Sequence, residues 1–291
     1  FRCLVTQTYI EKITPGDFDD PLLRQILPLR SENDRQIQVS GQDDPVGDLD
    51  ATTTTGLLHK YHGRALMIAT AACAVHCRYC FRRNYPYHHA SLTPEHIASA
   101  IEYISSEPDI DEVILSGGDP LVLCNERLAF LITQLEPVSQ LTTLRIHSRL
   151  PVVLPERIDE GLLRILGETR LQVVIVIHCN HARELQQSEQ SRLAALKDRG
   201  ISLLNQSVLL RGVNDNADDL VALSKRLFAC HTLPYYLHML DPTRGAMHFD
   251  VDTERALDIH RCLTDRLPGY LVPRLVREQP GMTSKTAISR I

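Results

Sequence analysis

From residue 57 onward the chain repeats one rhythm six times, a short apolar run followed by a longer amphipathic one. The short runs are Arg64–Thr70, Glu112–Ser116, Thr143–His147, Leu171–His178, Ser202–Leu209 and Pro234–Leu240, and they read as strands. The intervening stretches carry apolar residues at helical spacing. Thr93-Pro94 opens one as an N-cap with proline at the first helical position, and Ile97, Ile101 and Ile104 then share a face. Further helices are expected over Asn125–Leu135, Glu156–Leu166, Arg183–Arg199, Ala217–Cys230 and Thr253–Leu267, with Gly200 placed where a helix stops. Strand–helix alternation of this kind argues for a parallel sheet with helical crossovers, because parallel neighbours need a long return. An open doubly wound sheet and a barrel share the rhythm. The polar residues favour the barrel, since every strand ends in unusual chemistry, as if all the ends met at one mouth. Residues 1–56 are polar, with a loop rich in Asp, Gly and Gln from Ser40 to Asp50, and read as a peripheral N-terminal segment. Residues 57–267 form the barrel. Residues 268–291 are a C-terminal extension with a last apolar piece, Tyr270–Arg277.

Composition narrows the function. Hydrophobic residues are 43% and charged residues 23%, which suits a globular chain rather than a disordered one. A net charge of -5 argues against a broad nucleic-acid surface, so no DNA partner is expected. The longest strongly apolar stretch, Leu171 to Ile177, is far short of the ~20 residues a membrane helix needs, so no membrane association is expected. The chain opens at Phe1, without Met or a basic-then-apolar leader, so whether this is its native N-terminus is left open. Of eight cysteines, five are scattered and three crowd together, a distribution that fits a reducing cytoplasm and a metal site better than a disulfide network.

The crowded three, Cys73, Cys77 and Cys80, have spacing C-x3-C-x2-C just after the first barrel strand. Thiolates this close converge on one small centre. A structural zinc needs four protein ligands, and His76 could supply the fourth only by an awkward fold-back beside Cys77. A cubane held by three thiolates leaves one iron open to a small chelating molecule. Zinc, or three unrelated thiols, is the blander alternative.

This spacing is the signature of the radical S-adenosylmethionine (SAM) superfamily, with Tyr79 as the aromatic that commonly precedes the last Cys. Further stretches narrow the resemblance: His59-Lys60-Tyr61, Arg78-Tyr79-Cys80-Phe81-Arg82-Arg83, Ser116-Gly117-Gly118-Asp119-Pro120, Arg145-Ile146-His147-Ser148-Arg149, Asn205 to Leu210 with Gly212 to Asp215, and Pro234-Tyr235-Tyr236-Leu237-His238. Together they resemble lysine 2,3-aminomutases, most of all the short bacterial type that makes β-lysine for modification of elongation factor P. The resemblance runs from about Pro21 to Thr286. It implies an α/β fold, a partial (β/α)6 barrel, using a 4Fe–4S cluster, SAM and pyridoxal 5′-phosphate (PLP). Free L-lysine is then the substrate and a one-electron reductant a partner.

The same resemblance assigns roles. Cys73, Cys77 and Cys80 would hold the cluster. Gly117, Gly118, Asp119, His178 and Gln206 would meet SAM, the glycines by letting backbone approach the ligand closely. PLP needs a lysine and phosphate donors. Of five lysines, Lys285 lies in Pro280-Gly-Met-Thr-Ser-Lys285-Thr, where the family carries its PLP lysine, although the family's fuller glycine run is absent. Lys60 and Arg64 match two basic phosphate contacts; Lys60 keeps the charge of an Arg but loses its fork. A buried substrate ammonium needs paired acids, matched by Asp241 and Glu278, and Arg82 matches the Arg that pairs with the substrate carboxylate. Rival readings are a 2,3-aminomutase for another amino acid, an enzyme acting on a protein-bound lysine, and a non-catalytic Fe–S or zinc protein. Paired acids argue against glutamate. The larger aminomutases bind zinc at subunit contacts through an added C-terminal region. This chain ends at Ile291, so that device is not expected, and homo-oligomerisation is left open.

Overall fold

The computed structural model describes residues 2–87 and 92–289; the end residues Phe1 and Ile291 lie outside them. Ten strands form one sheet in strict sequence order: β1 (Thr52–Thr54), β2 (Leu57–Tyr61), β3 (Arg64–Thr70), β4 (Glu112–Gly117), β5 (Thr143–Ser148), β6 (Gln172–Ile177), β7 (Ser202–Val208), β8 (Leu233–His238), β9 (Arg274–Arg277) and β10 (Thr286–Ala287). Strands β3 to β9 run parallel, while β1, β2 and β10 are antiparallel to their neighbours. The order ends at β1 and β10 without closing, so the barrel is partial. Six strand–helix units, β3 to β8, fit the rhythm read from the sequence, and β9 adds one more parallel strand from the last apolar piece.

The helices are Pro94–Ser106, Asn125–Leu135, Glu160–Glu168, Gln187–Asp198, Ala217–Ala229 and Thr253–Arg266, with shorter turns between. Local chemistry sets their starts. The side chains of Thr93, Asp159, Asn216 and Asp252 each accept a hydrogen bond from a first-turn amide. Two helices begin later than their periodicity suggested. Pro155–Arg157 and Ala182–Glu184 are separate 3-10 turns ahead of the α-helices.

Along each strand, side chains alternate between two environments. Leu144 and Ile146 of β5 are buried against the helical layer, whereas Arg145 and His147 turn inward. Likewise Ala65 and Met67 of β3 pack outward and Arg64 and Leu66 line the interior. The outer layer is one continuous apolar core in which Leu128, Leu131, Leu163 and Leu166 meet the sheet. The inner face is polar and surrounds a cavity.

The N-terminal segment differs most from its reading as peripheral. Tyr9, Leu22 and Ile26 belong to the main core. Lys12 is 7% exposed, and its ammonium donates at 2.8 Å to the carbonyls of Val152 and Glu184 and to Glu189 Oε1. Polar composition was a poor guide because these polar groups are paired internally, which is what permits their burial.

Candidate active site

Every residue to which the resemblance assigned a cluster, cofactor or substrate role lines one cavity, which runs from the loop after β3, down the inner face of the sheet, to the loop before β10. The upper end is the cysteine loop. Cys73, Cys77 and Cys80 face the same space. Burial, then proximity to Cys77, pushes the Cys80 thiol up to about 11, and burial with both neighbours pushes Cys73 up as well. Such thiols stay protonated until a cationic centre takes the proton's place. Among the described residues, no group of three or more His, Cys, Asp or Glu side chains converges closely enough to hold a metal ion. His76 is turned away: its Nδ1 sits 3.0 Å from the carbonyl of Arg2. Three thiols and no histidine match the donor set for a cubane with one open iron, so the chemistry of the residues fits the cluster.

The segment from Gly117 to Asp119 braces this loop. A side chain on Gly118 would meet Ala72 O at 2.3 Å, and one on Gly117, at φ +110°, would meet Thr70 O at 2.7 Å. The glycines are therefore required by the protein's own strand-to-cysteine connection, a reason the sequence did not disclose. Gly118 N donates to Thr70 O at 2.7 Å and Asp119 N to Ala72 O at 2.8 Å. The Asp119 carboxylate accepts from Ser148 Oγ and from Arg149 N, both at 2.7 Å, tying the end of β4 to the end of β5. Burial raises its pKa against those hydrogen bonds. Gln206 Nε2 lies 2.7 Å from His178 Nε2. Burial, helped by the Arg149 charge, drives His178 down to about 3, and burial keeps His147 and His238 neutral too. The Nε2 atoms of His147 and His238 have no protein partner.

The lower end is a chain of alternating charges. Lys285 is ion-paired with Glu278 Oε2. Glu278 Oε1 lies 3.3 Å from Lys60 Nζ, and Lys60 Nζ lies 2.5 Å from Asp48 Oδ1. Asp48 Oδ2 then accepts from Arg82 Nε at 2.6 Å, and Arg82 Nη1 reaches Ser116 Oγ at 3.1 Å. Burial opposes ionisation of Glu278, but the ammonium groups of Lys285 and Lys60 overcome it and hold the carboxyl down at about 2. Asp241, close by, has the opposite fate. Burial first, and Glu278 second, push it up to about 7, and its Oδ1 has no partner. Arg64 stacks its guanidinium 4.8 Å over the Tyr61 ring.

Lys60 lies on β2, which pairs antiparallel with β3 and presents it to the cavity floor. Lys285 is fixed by β10, whose Thr286 pairs with Arg277 of β9, so the chain returns beside the floor. Asp48 was missed altogether. It sits in an acidic, turn-rich stretch where Asp43, Asp44 and Asp50 look equivalent, and only its 2% exposure separates it. Tyr61, Tyr236 and His238, also on the lining, were not singled out as site residues.

The chain's residues 67–224 match the radical SAM superfamily. The chain is 45% identical over 288 residues to the L-lysine 2,3-aminomutase of Escherichia coli, covering 99% of this chain and 83% of that protein. It is 44% identical to the L-lysine 2,3-aminomutase of Haemophilus influenzae, covering 98% and 84%. Among solved structures, a radical SAM methyltransferase from Sphaerobacter thermophilus superposes with a TM-score of 0.53 at 17% identity, over 76% of this chain and 68% of that one, a likeness of fold alone. A cysteine triplet at one end of a partial barrel and nearly full-length similarity at such identity lead to one assignment: the chain belongs to the lysine 2,3-aminomutase family of radical SAM enzymes.

Proposed function

We propose that the protein is an L-lysine 2,3-aminomutase that moves the amino group of free L-lysine from the α- to the β-carbon, with a 4Fe–4S cluster, SAM and PLP as cofactors. The observation that carries this reading is the shared cavity, with three thiols at one end and Lys285 among paired charges at the other. Cys73, Cys77 and Cys80 hold the cluster, and His178, Gln206 and the Gly117–Asp119 turn border SAM. Lys285 captures PLP, with Lys60 and Arg64 as cations for its phosphate. When bound, the three groups supply a carbon radical from SAM and a conjugated ring that tolerates a radical beside the migrating nitrogen.

The chain's own residues set the geometry. Arg82, already held by Asp48 and Ser116, presents a fixed guanidinium to the substrate carboxylate. Asp241 and Glu278 receive the distal ammonium. The unpartnered Asp241 Oδ1 gains a cation there, and its carboxyl then ionises at neutral pH. His147, His178 and His238 are neutral and buried, so they line the path without adding charge beside it. The inner face of the sheet holds these groups around one cavity and keeps the reacting groups in register. The acidic pair suits lysine better than an amino acid with an anionic side chain. The resemblance to the short bacterial type supports delivery of the β-lysine to elongation factor P, a one-electron reductant as partner, and a cytoplasmic setting.

The test is an anaerobic assay of the iron-reconstituted protein with SAM, PLP, a strong reductant and L-lysine, read as β-lysine formed. Cys77→Ala should remove iron and turnover together. Lys285→Ala should keep the iron and lose covalent PLP capture. Reconstituted protein that binds iron and PLP yet leaves lysine unchanged refutes the proposal.

A further inference from the structure

Arg149 is not among the residues assigned to any cofactor or substrate, yet it is 6% exposed and touches the cysteine loop directly. It follows β5, where Asp119 accepts its backbone amide at 2.7 Å and so fixes where the side chain begins. Its Nη1 donates to Cys77 Sγ at 2.7 Å. Its Nη2 is shared among Gln25 Oε1 at 2.7 Å, Glu184 Oε2 at 3.0 Å and Tyr9 Oη at 3.2 Å. Its guanidinium also lies 5.4 Å from the Tyr9 ring centroid and 5.6 Å from that of Tyr79. Glu184 is fully buried, and its Oε1 accepts the amides of Asn180 and His181, both at 2.9 Å, so the carboxylate cannot swing away. The guanidinium is thus clamped from behind and aimed at one sulfur.

We infer that Arg149, oriented by Glu184, is a positioning residue that sets the reduction potential of the cluster through its hydrogen bond to Cys77. This rests on the reading of Cys73, Cys77 and Cys80 as cluster ligands. Hydrogen bonds to ligand sulfurs and nearby charge are among the levers by which a protein tunes iron–sulfur potentials. Adding an electron makes the cluster more negative. A donor and positive charge at Cys77 stabilise that reduced state. The Glu184 carboxylate, one guanidinium farther away, opposes it. The two residues should therefore move the potential in opposite directions, which a purely structural role for either would not do. The N-terminal segment enters as well, since Tyr9 and Gln25 complete the clamp.

The experiment measures the one-electron midpoint potential of the reconstituted cluster by spectroscopic titration, without substrate, in the parent protein and in Arg149→Gln, Arg149→Lys and Glu184→Gln, with iron and labile sulfide determined on each sample. Arg149→Gln should make the reduction equilibrium at least tenfold less favourable, a shift of about 59 mV to more negative potential for one electron. Arg149→Lys keeps the charge without the fork and should shift by less. Glu184→Gln should move the potential the other way. If Arg149→Gln does not fold, the sign of the Glu184→Gln shift decides. Midpoints that coincide with the parent, or that move in the same direction for Arg149→Gln and Glu184→Gln, overturn the inference. Parent protein that takes up no iron overturns the cluster reading beneath it, a result recognisable before any potential is measured.

Discussion

Replacing Glu278 with Gln keeps the shape of the side chain and deletes the charge that Lys60 and Lys285 share. The carboxyl is held at about 2 in the folded protein, against an ordinary value of 4.5. That difference of about 2.5 pH units corresponds to about 3 kcal/mol at ~1.36 kcal/mol per unit. The side chain is only 16% exposed, so solvent screening removes little of it. Because folding lowers this pKa, the stabilisation is complete above the unfolded value of 4.5 and is lost as the pH falls toward 2. Urea unfolding of the apoprotein, followed by circular dichroism, should find Glu278→Gln less stable by about 3 kcal/mol at pH 7, and by only about 2 kcal/mol at pH 3.5. A gap of the same size at both pH values would show that the loss is packing and not charge. A gap below about 1 kcal/mol at pH 7 would refute the charge chain as an element of stability.

Asp241→Asn should have the opposite sign. Its carboxyl is raised to about 7, so its contribution to stability is lost as pH rises from the unfolded value through 7. The variant apoprotein should therefore be more stable than the parent at pH 8, by up to about 4 kcal/mol, with no gap near pH 3, while lysine binding measured by calorimetry weakens. Gly118→Ala places a methyl against the Ala72 carbonyl, and about 1–3 kcal/mol of lost stability with reduced iron uptake is expected. Iron uptake equal to the parent would detach that glycine from the cysteine loop. Lys12→Met strands the buried Glu189 carboxylate and should cost about 3–5 kcal/mol in chemical denaturation, whereas a truly peripheral lysine would cost almost nothing.

What the sequence disclosed and what it hid divide along the range of the interactions involved. The six parallel strands and their helices were legible because each is written locally, in apolar period and in caps such as Thr93 and Asn216. The cysteine triplet could be picked out because three thiols fall within eight residues, and they face one cavity. Lys285 and Glu278 could be named from the resemblance, but their ion pair depends on β10 folding back beside β9, a pairing of two residues that no local pattern announces. Asp48, Lys12 and Glu184 were hidden for a different reason. An acid or a lysine in a polar stretch reads as solvated, and only long-range partners turn it into a buried ion. Lys12 reaches Glu189 across 177 residues of chain, and Asp48 reaches Arg82 across 34. Two of these hidden charges brace groups that the motifs expose: Asp48 steadies Arg82 and Lys60, and Glu184 aims Arg149 at Cys77. A motif therefore names candidate groups for the chemistry, while the residues that fix their orientation are scattered through segments that look dispensable. The polar N-terminal segment is the clearest case, for it supplies Tyr9 and Gln25 to the clamp behind Arg149 and Asp48 to the cavity floor.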